Sequence, residues 1–149
     1  MNIFITGGAG FVGSQVGHYL EERGHNIYLF DNMSYGNVDN LNIGGNSIGE
    51  FIEGDVRQYC DHLLKEKEID AVLHFAGVAP LPDCQSDPYN AIDNNVAGTA
   101  SILESCRLAG VKKVIFASTS AIYEKCKKTP FREDCIEEDP DLIYSLTKL

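Results

Sequence analysis

The chain has 149 residues, of which 44% are hydrophobic, and it carries 12 Lys plus Arg against 22 Asp plus Glu, a net charge of −10. This length supports one compact domain rather than two. The acidic balance, with no basic run, argues against binding to nucleic acid or to an anionic membrane surface. No apolar run approaches the length of a transmembrane helix, and no charged leader precedes the first apolar residues, so we expect neither a membrane span nor a signal peptide.

The cysteines do not follow the spacing of a metal site or of a disulfide framework. They are irregularly spaced, odd in number and lack a CxxC pair: Cys60, Cys84, Cys106, Cys126 and Cys135. We therefore expect no metal site and reduced thiols in the cytoplasm. A pairing of Cys126 with Cys135, which flank a polar loop, is the alternative.

A glycine-rich turn follows the first apolar segment. Ile3 to Ile5 predicts a short buried strand, and a helical pattern begins after the turn. The turn fits GxxGxxG through Gly7, Gly10 and Gly13, and also GxGxxG through Gly8. Glycine permits a sharp strand-to-helix turn and close approach of a diphosphate, which the helix N-terminus then attracts. The pattern between a strand and a helix predicts a dinucleotide-binding turn.

The next strand ends in an acidic residue at a characteristic spacing. The helical pattern of Val12, Val16, Tyr19 and Leu20 is expected to stop near Gly24, and Ile27 to Phe30 reads as a second parallel strand. Asp31 follows, 18 residues past Gly13. An acid here accepts hydrogen bonds from the adenosine ribose and repels the 2′-phosphate of NADP, so it favours NAD. The alternative interpretation of Asp31 is a simple turn residue.

The remaining elements alternate between strands and helices. We expect strands at Glu50 to Glu53, Ala71 to Phe75 and Val114 to Ala117. Helices are expected at about 58–67 and from Pro88 to Gly110. Loops are expected over Asn32 to Gly49, with a short helix near Val38 to Leu41, and over Pro80 to Asp87. The long helix is expected to bury one apolar face: Tyr89, Ile92, Val96, Ala100, Leu103 and Cys106.

This alternation predicts an α/β fold, a doubly wound parallel sheet of the Rossmann type. The polar and glycine-rich features all follow strands: Gly7 to Gly13, Asp31, Asp55, Ala76-Gly77 and Ser118-Thr119. Because ligands bind at the carboxyl ends of such strands, we expect one shared site. Two of the polar residues have simpler interpretations. Asp55 either binds adenine or caps the next helix, and His74 is most simply a packed core histidine.

Tyr144 and Lys148 are four residues apart, so they would share one face of a helix. A free tyrosine has a pKa of about 10, and it needs electrostatic help of about 4 kcal/mol to act as a base near neutral pH. A neighbouring ammonium group and a cationic nicotinamide supply such help. A serine or threonine hydroxyl would orient the reacting oxygen.

The motifs together resemble the extended short-chain dehydrogenase/reductases, specifically the NAD-dependent epimerase/dehydratase family that acts on nucleotide sugars. The matching segments are TGGAGFVG at 6–13, FDNMSYGN at 30–37, GDV at 54–56, HFAG at 74–77, NNVAGT at 94–99, FASTSAIY at 116–123 and YSLTK at 144–148. The central segments are most similar to the UDP-hexose 4-epimerase group. The Asp-Glu pair of the dehydratases is replaced by Ser120 and Ala121.

The resemblance implies a role for each site residue. It makes Tyr144 the base, Lys148 the cation that binds the nicotinamide ribose, and Thr119 the hydroxyl partner. It implies NAD as the cofactor, held by Gly7, Gly10, Phe11, Val12, Gly13, Asp31, Asn32, Met33, Ser34, Gly36, Asp55, Val56, Phe75, Ala76, Gly77, Val78, Ala79, Asn94, Ser118, Tyr144 and Lys148. The implied partners are a UDP-sugar substrate and a second copy of the chain, which would pack through the helix at 88–109 and the helix near Tyr144. The sequence departs from the family pattern at Glu124, at the lysine-rich loop Lys125 to Lys128 and at Ile143.

Members of this family extend well beyond this length, so we expect residues 1–149 to be an incomplete NAD-binding Rossmann domain without the C-terminal substrate domain. It would end after the fifth strand and the start of the next helix, and would have little or no epimerase activity alone. An inactive NAD-binding module is the first alternative. Another nucleotide-sugar reductase or a decarboxylase of the same family is the second, and Asp31 disfavours an NADP-dependent reductase.

Overall fold

Five parallel strands form the central sheet in a computed structural model that describes residues 1–127, 129–135 and 141–149, with Ile43 and Cys135 described by their backbone only. The strands are β1 (Asn2–Thr6), β2 (Asn26–Asp31), β3 (Glu50–Glu53), β4 (Ala71–His74) and β5 (Lys113–Phe116). Their order in the sheet is β3-β2-β1-β4-β5, and all neighbours are parallel. The order reverses between β1 and β4, which confirms the doubly wound fold.

The helices are α1 (Phe11–Glu21), α2 (Asp61–Glu66), α3 (Leu81–Ser86), α4 (Pro88–Ile92), α5 (Gly98–Ala109) and α6 (Ile143–Leu146). A π-helical segment, Asp93–Ala97, joins α4 to α5, and 3₁₀ turns occupy Val38–Leu41, Ser120–Tyr123 and Glu133–Cys135. Asp87 caps α4 by accepting a hydrogen bond from the Asn90 amide, and Gly110, in the left-handed conformation, ends α5. These bounds confirm the predicted alternation of strands and helices.

The central strands β1, β2 and β4 are buried on both faces, whereas β5 at the sheet edge is largely exposed. Successive strand residues point to opposite sides of the sheet. Phe4 of β1 packs in a cluster with Val72 and Ile102. Its neighbours Ile3 and Ile5 pack in a second cluster with Ile27, Leu29, Ile48 and Leu73. The short buried strands therefore supply two cores, one under each layer of helices.

The predicted apolar faces of α1 and the long helix are buried only in part. Val16 and Leu20 of α1 pack against the core. Five residues of the predicted stripe on the long helix are exposed: Tyr89 at 80%, Ile92 at 50%, Val96 at 47%, Leu103 at 48% and also Ala100. The long helix instead buries mainly small residues: Ala91, Asn95, Gly98, Ser101, Ile102, Ser105 and Cys106. In α1, Val12 and Tyr19 are likewise exposed, while Gly13, Ser14 and Gly17 are buried. Small residues occupy the buried positions because the helices approach neighbouring segments closely. For example, a β-carbon at Gly98 would lie 2.8 Å from Cγ2 of Val56.

Three local predictions were wrong. The predicted loop over Pro80 to Asp87 contains α3, because proline is tolerated in the first turn of a helix. The loop after β2 contains an unpredicted hairpin, Asn42–Ile43 with Asn46–Ser47, which turns through Gly44 and Gly45 at positive φ. Finally, α6 ends at Leu146, so Lys148 lies in the turn that follows it.

Other predictions concern residues only partly described. Lys128 of the lysine-rich loop lies outside the described residues, and so does the Cys135 side chain on which a pairing with Cys126 would depend. Within the described ranges, no helix is long and apolar enough to cross a membrane. The same ranges contain no cluster of three or more His, Cys, Asp or Glu side chains suited to a metal ion.

Gly13→Ala is expected to destabilise the fold strongly, because the new β-carbon would clash with the backbone carbonyl of Gly7. Overpacking of this kind costs about 1–3 kcal/mol. Gly24→Asn is the matched control, since a β-carbon at Gly24, where φ is 81°, would meet no atom of a non-adjacent residue within 4 Å, and asparagine tolerates that conformation at a cost below about 1 kcal/mol. Urea unfolding measures both free energies, and equal losses in the two variants would contradict the close-packing argument.

Candidate functional site

A cleft lies at the carboxyl ends of the strands, where the strand order reverses. Its walls come from the turns after β1 and β2, from the segment after β4 and from the π-helical segment. The lining residues are Gly7, Gly10, Phe30, Asp31, Asn32, Ser34, Tyr35, Gly36, Val56, Phe75, Ala76, Gly77, Val78 and Asn94. Most of them are among the predicted site residues, whereas Phe30 and Tyr35 are not.

The glycine turn presents backbone amides at the floor of the cleft. Gly10 donates to the Gly7 carbonyl at 3.1 Å, and Ser14 donates to the Gly10 carbonyl at 3.1 Å. Gly10 precedes α1 without a side-chain cap, so the first amides of the helix, at Phe11 and Val12, have no partner within the helix. A helix N-terminus with free amides and no side chain in the way can accept an anionic group.

Asp31 braces this turn from β2. It is 9% exposed, and its carboxylate accepts from the Ala9 amide at 3.1 Å and from the Met33 amide at 2.8 Å. A β-carbon at Gly36 would lie 3.0 Å from its Oδ1. Asp31, the last residue of β2, therefore fixes the turns on both sides of it. Each of its oxygens also keeps acceptor capacity for a ligand, since a carboxylate offers about four lone-pair sites.

Asp55 follows β3 and belongs to a charged cluster. Arg57 donates to both of its carboxylate oxygens, Asn32 donates to Oδ2 at 3.1 Å, and Arg57 also reaches Asp93 at 3.0 Å. The guanidinium of Arg57 holds the pKa of Asp55 well below its usual range. Asp55 does not cap the next helix, which begins at Asp61 after Cys60, so that alternative was wrong. Its neighbour Val56 lines the cleft.

The segment after β4 forms the opposite wall and is held at both ends. Its Ala76 amide donates to Oγ1 of Thr6 at 3.2 Å. Asn95 accepts from the Val78 amide at 2.8 Å and donates to the Val78 carbonyl at 3.0 Å. A β-carbon at Gly7 would lie 2.8 Å from the Ala76 nitrogen. This wall and the glycine turn therefore touch backbone to backbone, while Ala79 lies beyond the wall and is exposed.

His74 is a core histidine, as predicted. It is 1% exposed, and its two ring nitrogens lie 2.6 Å from Oγ1 of Thr6 and 2.9 Å from Oγ1 of Thr99. Burial, with a smaller contribution from the charge of Lys148, lowers the pKa of His74 to about 4. The imidazole is therefore neutral at physiological pH.

Lys148 is a buried cation beside Gly77, a residue of the cleft wall. It is 4% exposed. A β-carbon at Gly77 would lie 3.1 Å from its Nζ, and Nζ lies 4.9 Å from the ring centroid of Phe116. Among the described residues no carboxylate pairs with it, and burial lowers its pKa below the ordinary value of 10.5. An unpaired buried ammonium is costly, which is typical of a functional rather than a structural lysine.

The other predicted catalytic side chains, Thr119 and Tyr144, have contacts of their own. Thr119 caps the 3₁₀ turn by accepting from the Ala121 amide at 3.0 Å. Tyr144 is half-buried and packs on the cluster of Val78, Cys84 and Ala91. Within the described residues no hydrogen bond joins the side chains of Thr119, Tyr144 and Lys148. Ser118 donates to the Lys148 carbonyl at 2.9 Å and so anchors the segment that carries the lysine.

A hydrogen bond crosses the mouth of the cleft. Tyr35, in the loop after β2, donates to Oδ2 of Asp83 in α3 at 2.8 Å, and this bond raises the pKa of Tyr35. Because β2 and β4 lie on opposite sides of β1, the bond passes over the carboxyl end of β1. We call this pair the Tyr35–Asp83 strap. No sequence motif marks it, since its partners are 48 residues apart.

Comparison with known proteins identifies the family. The sequence model of the NAD dependent epimerase/dehydratase family matches residues 3–149. The chain belongs to this family. A UDP-glucose 4-epimerase of Klebsiella pneumoniae is 35% identical over 139 residues, which are 89% of this chain and 99% of that sequence. One of Neisseria meningitidis serogroup C is 33% identical over 152 residues, which are 98% of this chain and 44% of that relative.

Solved structures of family members share the fold. The UDP-glucose-4-epimerase of Stenotrophomonas maltophila, with bound NAD and formylated UDP-arabinopyranose, has a TM-score of 0.93 at 29% identity and is matched over 99% of this chain and 45% of its own. The Brucella ovis enzyme in complex with NAD has a TM-score of 0.89 at 33% identity, over 99% of this chain and 44% of its own. The chain spans less than half the length of these epimerases and nearly all of the Klebsiella sequence.

Lys148→Met is expected to raise the free energy of unfolding at pH 7, because it replaces a buried, unpaired charge with an apolar side chain. In the wild type the folded state disfavours protonation of Lys148, so between its lowered pKa and 10.5 the unfolded state binds more protons. Stability should therefore rise with pH through that window, and this contribution should vanish in Lys148→Met. Urea unfolding at several pH values measures it.

Lys65→Met is the control for this test, since Lys65 is exposed and pairs with Asp61 in the same helix. Its effect should stay within about 0.5 kcal/mol. A large loss of stability in Lys148→Met would show that the buried ammonium has a compensating partner.

Proposed function

We propose that this chain is the cofactor-binding half of an NAD-dependent UDP-hexose 4-epimerase. The observation that carries the proposal is the convergence on one cleft of a glycine turn, an uncapped helix N-terminus and a buried acid at the end of β2, with a buried lysine beside the cleft wall at Gly77 that pairs with no carboxylate among the described residues. The glycine turn and the helix N-terminus match the diphosphate of a dinucleotide, the acid matches its adenosine ribose, and the lysine matches its nicotinamide ribose. The UDP-glucose 4-epimerases of Stenotrophomonas and Brucella, which contain NAD, share this fold.

The residues present fit NAD. Side chains at Gly7, Gly13 or Gly36 would collide with neighbouring backbone or side-chain atoms, and their absence leaves a cradle for the cofactor. Gly7, Gly10, Gly13 and the amides of Phe11 and Val12 would hold the diphosphate, and Asp31 to Ser34 with Gly36 the adenosine ribose. Asp55 and Val56 would contact adenine. Phe75 to Ala79, Asn94, Ser118, Tyr144 and Lys148 would hold the nicotinamide end.

When bound, NAD would supply the hydride acceptor and donor for oxidation and reduction at sugar C4. Tyr144 takes the proton of the C4 hydroxyl as the C4 hydride leaves, and gives it back when the hydride returns. Lys148 makes this base usable, because an adjacent cation favours the phenolate, and no described carboxylate neutralises the lysine. Thr119 would orient the reacting oxygen. Since Tyr144 and Thr119 are not hydrogen-bonded in the structure, bound sugar would have to bridge them.

The structural evidence also supports a homodimer as the proposed partner arrangement. The exposed stripe of Tyr89, Ile92, Val96 and Leu103 on α4 and α5 is an apolar surface without a partner in the described chain. The family resemblance places a dimer interface on this helix. Contiguous exposed apolar residues of this kind mark association surfaces.

A direct test uses residues 1–149 as they are. Calorimetry with NAD should show saturable binding, and a coupled assay with UDP-galactose should show little or no turnover, because the chain spans less than half of most relatives. No NAD binding would overturn the proposal. Full turnover by these residues alone would overturn the assignment of this chain to the cofactor half only.

A non-catalytic NAD-binding module remains the second candidate, supported by the same short coverage. A longer form of the protein that binds NAD and UDP-galactose but shows no turnover would favour it. Another nucleotide-sugar reductase of the family would instead consume NADH in stoichiometric amounts, and a decarboxylase would release CO₂, whereas an epimerase regenerates NAD in each cycle and releases no CO₂.

The chain is expected to bind NAD more tightly than NADP, because the carboxylate of Asp31 would face the 2′-phosphate of NADP. Asp31→Ala should lower the affinity for NAD and reduce the ratio of NAD affinity to NADP affinity. Asp55→Asn is the control, since an adenine contact would affect both cofactors equally. Titration with each cofactor measures this, and an unchanged NAD to NADP ratio in Asp31→Ala would contradict the assignment.

Tyr35→Phe is expected to speed NAD release, because it removes the Tyr35–Asp83 strap while keeping the aromatic ring. A net hydrogen-bond contribution of about 0.5–1.5 kcal/mol corresponds to a dissociation rate about 2- to 10-fold higher. Asp83→Ala should have the same effect, and the double variant should add nothing further. Tyr59→Phe, an exposed tyrosine outside the cleft lining, is the control. Stopped-flow displacement of NAD measures the rates.

A further inference from the structure

His74 lies behind the cleft rather than in it. Its imidazole is fully buried beneath the carboxyl end of β4, and it is absent from the lining of the cleft. It is nevertheless joined to two threonines whose hydroxyls lead toward the cleft wall. Because both ring nitrogens are buried, each needs a hydrogen-bond partner, and the two threonines that serve as partners couple the imidazole to the cleft wall.

The other hydrogen bonds of Thr6 and Thr99 show which atom is the donor and which the acceptor in each bond to His74. The Thr99 hydroxyl donates to the Asn95 carbonyl at 2.6 Å, so its oxygen accepts from Nε2–H of His74 at 2.9 Å. Nδ1 is then unprotonated and accepts the Thr6 hydroxyl at 2.6 Å. With its proton directed at His74, the Thr6 oxygen is left to accept the Ala76 amide at 3.2 Å. The neutral imidazole thus polarises both threonines in a defined sense.

Both branches of this chain of hydrogen bonds end on one short segment, Ala76 to Val78. The Thr6 branch ends at the Ala76 amide. On the other side, Thr99 bonds the backbone carbonyl of Asn95. The side chain of the same asparagine holds the amide and the carbonyl of Val78. Gly77 lies between the two anchors and adjoins Nζ of Lys148. His74 is the residue that connects the two branches.

We propose that His74 is a positioning residue for the cofactor: by accepting the Thr6 hydroxyl it directs Thr6 to hold the Ala76 amide, and so sets the cleft wall beside Gly7 and Lys148. This inference rests on the proposed NAD-binding function and deepens it. The close approach of Gly7 to the Ala76 nitrogen leaves little tolerance. If the Ala76 amide moves, the wall of the cleft and the space next to Lys148 change with it.

Paired substitutions at His74 separate its two nitrogens. In His74→Asn, the side-chain oxygen occupies the place of Nδ1 and still accepts from Thr6. In His74→Gln, the longer amide occupies the place of Nε2, keeps the bond to Thr99 and leaves the Thr6 hydroxyl without its acceptor. Loss of a buried partner of this kind predicts an NAD affinity about tenfold lower in His74→Gln, with His74→Asn within about threefold of the wild type.

Thr6→Val tests the route without altering His74. It keeps the shape of the buried side chain and removes the hydroxyl, so it should lower NAD affinity to the same extent as His74→Gln. Adding His74→Gln to Thr6→Val should then cause no further loss, because the two residues act in series. Thr99→Val cuts only the other branch and keeps the acceptor for Thr6, so it should weaken NAD binding less than Thr6→Val does.

The experiment measures NAD dissociation constants of residues 1–149 by calorimetry, with urea unfolding of each variant. We expect NAD affinity to depend on whether the Thr6 hydroxyl keeps a hydrogen-bond acceptor, and not on the stability of the variant. His74→Asn should therefore retain NAD affinity and His74→Gln should lose it, although the two variants have comparable free energies of unfolding. NAD affinity unchanged in both His74→Gln and Thr6→Val, or additive losses in the double variant, would overturn the inference alone. Absence of NAD binding by the wild type would overturn the proposed function together with the inference.

Discussion

The close backbone contact between Gly7 and Ala76 is the constraint on which the cleft depends. The strands before these residues, β1 and β4, pair in parallel with Thr6 opposite His74, and their chains then diverge, one into α1 and the other toward α3. No side chain fits between them at Gly7. The divergence at this point opens the cleft, and the contact beneath it fixes the glycine turn and the helix N-terminus against the opposite wall.

Buried polar groups around this contact maintain its geometry, and they differ in how far hydrogen bonds offset the free energy lost when they are removed from water. Asp31 and His74 are buried but hydrogen-bonded to backbone amides and threonine hydroxyls, respectively, so their desolvation is offset. Lys148 is buried without a carboxylate partner among the described residues. A protein that retains such a charge gives up stability at a position where the charge is used, which is the usual compromise at functional sites.

The two connections across the cleft differ in kind. The network of His74, Thr6 and Thr99 is buried, and it links backbone segments that are already in contact. The Tyr35–Asp83 strap is solvent-exposed, since Tyr35 is 55% exposed, and it joins a loop to a short helix. Buried networks in a medium of low dielectric are rigid, whereas single exposed hydrogen bonds open readily. The structure therefore combines a fixed inner wall with an outer closure that can open for a ligand.

The sequence by itself determined the strand and helix order, the glycine turn, the acid at Asp31 and the family, because these depend on local periodicity and on residues close together in the chain. It did not determine which helix faces are buried, since close helix packing selected small residues such as Gly98 and left Val96 exposed. Nor did it predict the Tyr35–Asp83 strap, the route from His74 to Ala76 or the burial of Lys148. These contacts join residues distant in sequence, and only the reversal of strand order in the folded sheet brings them together.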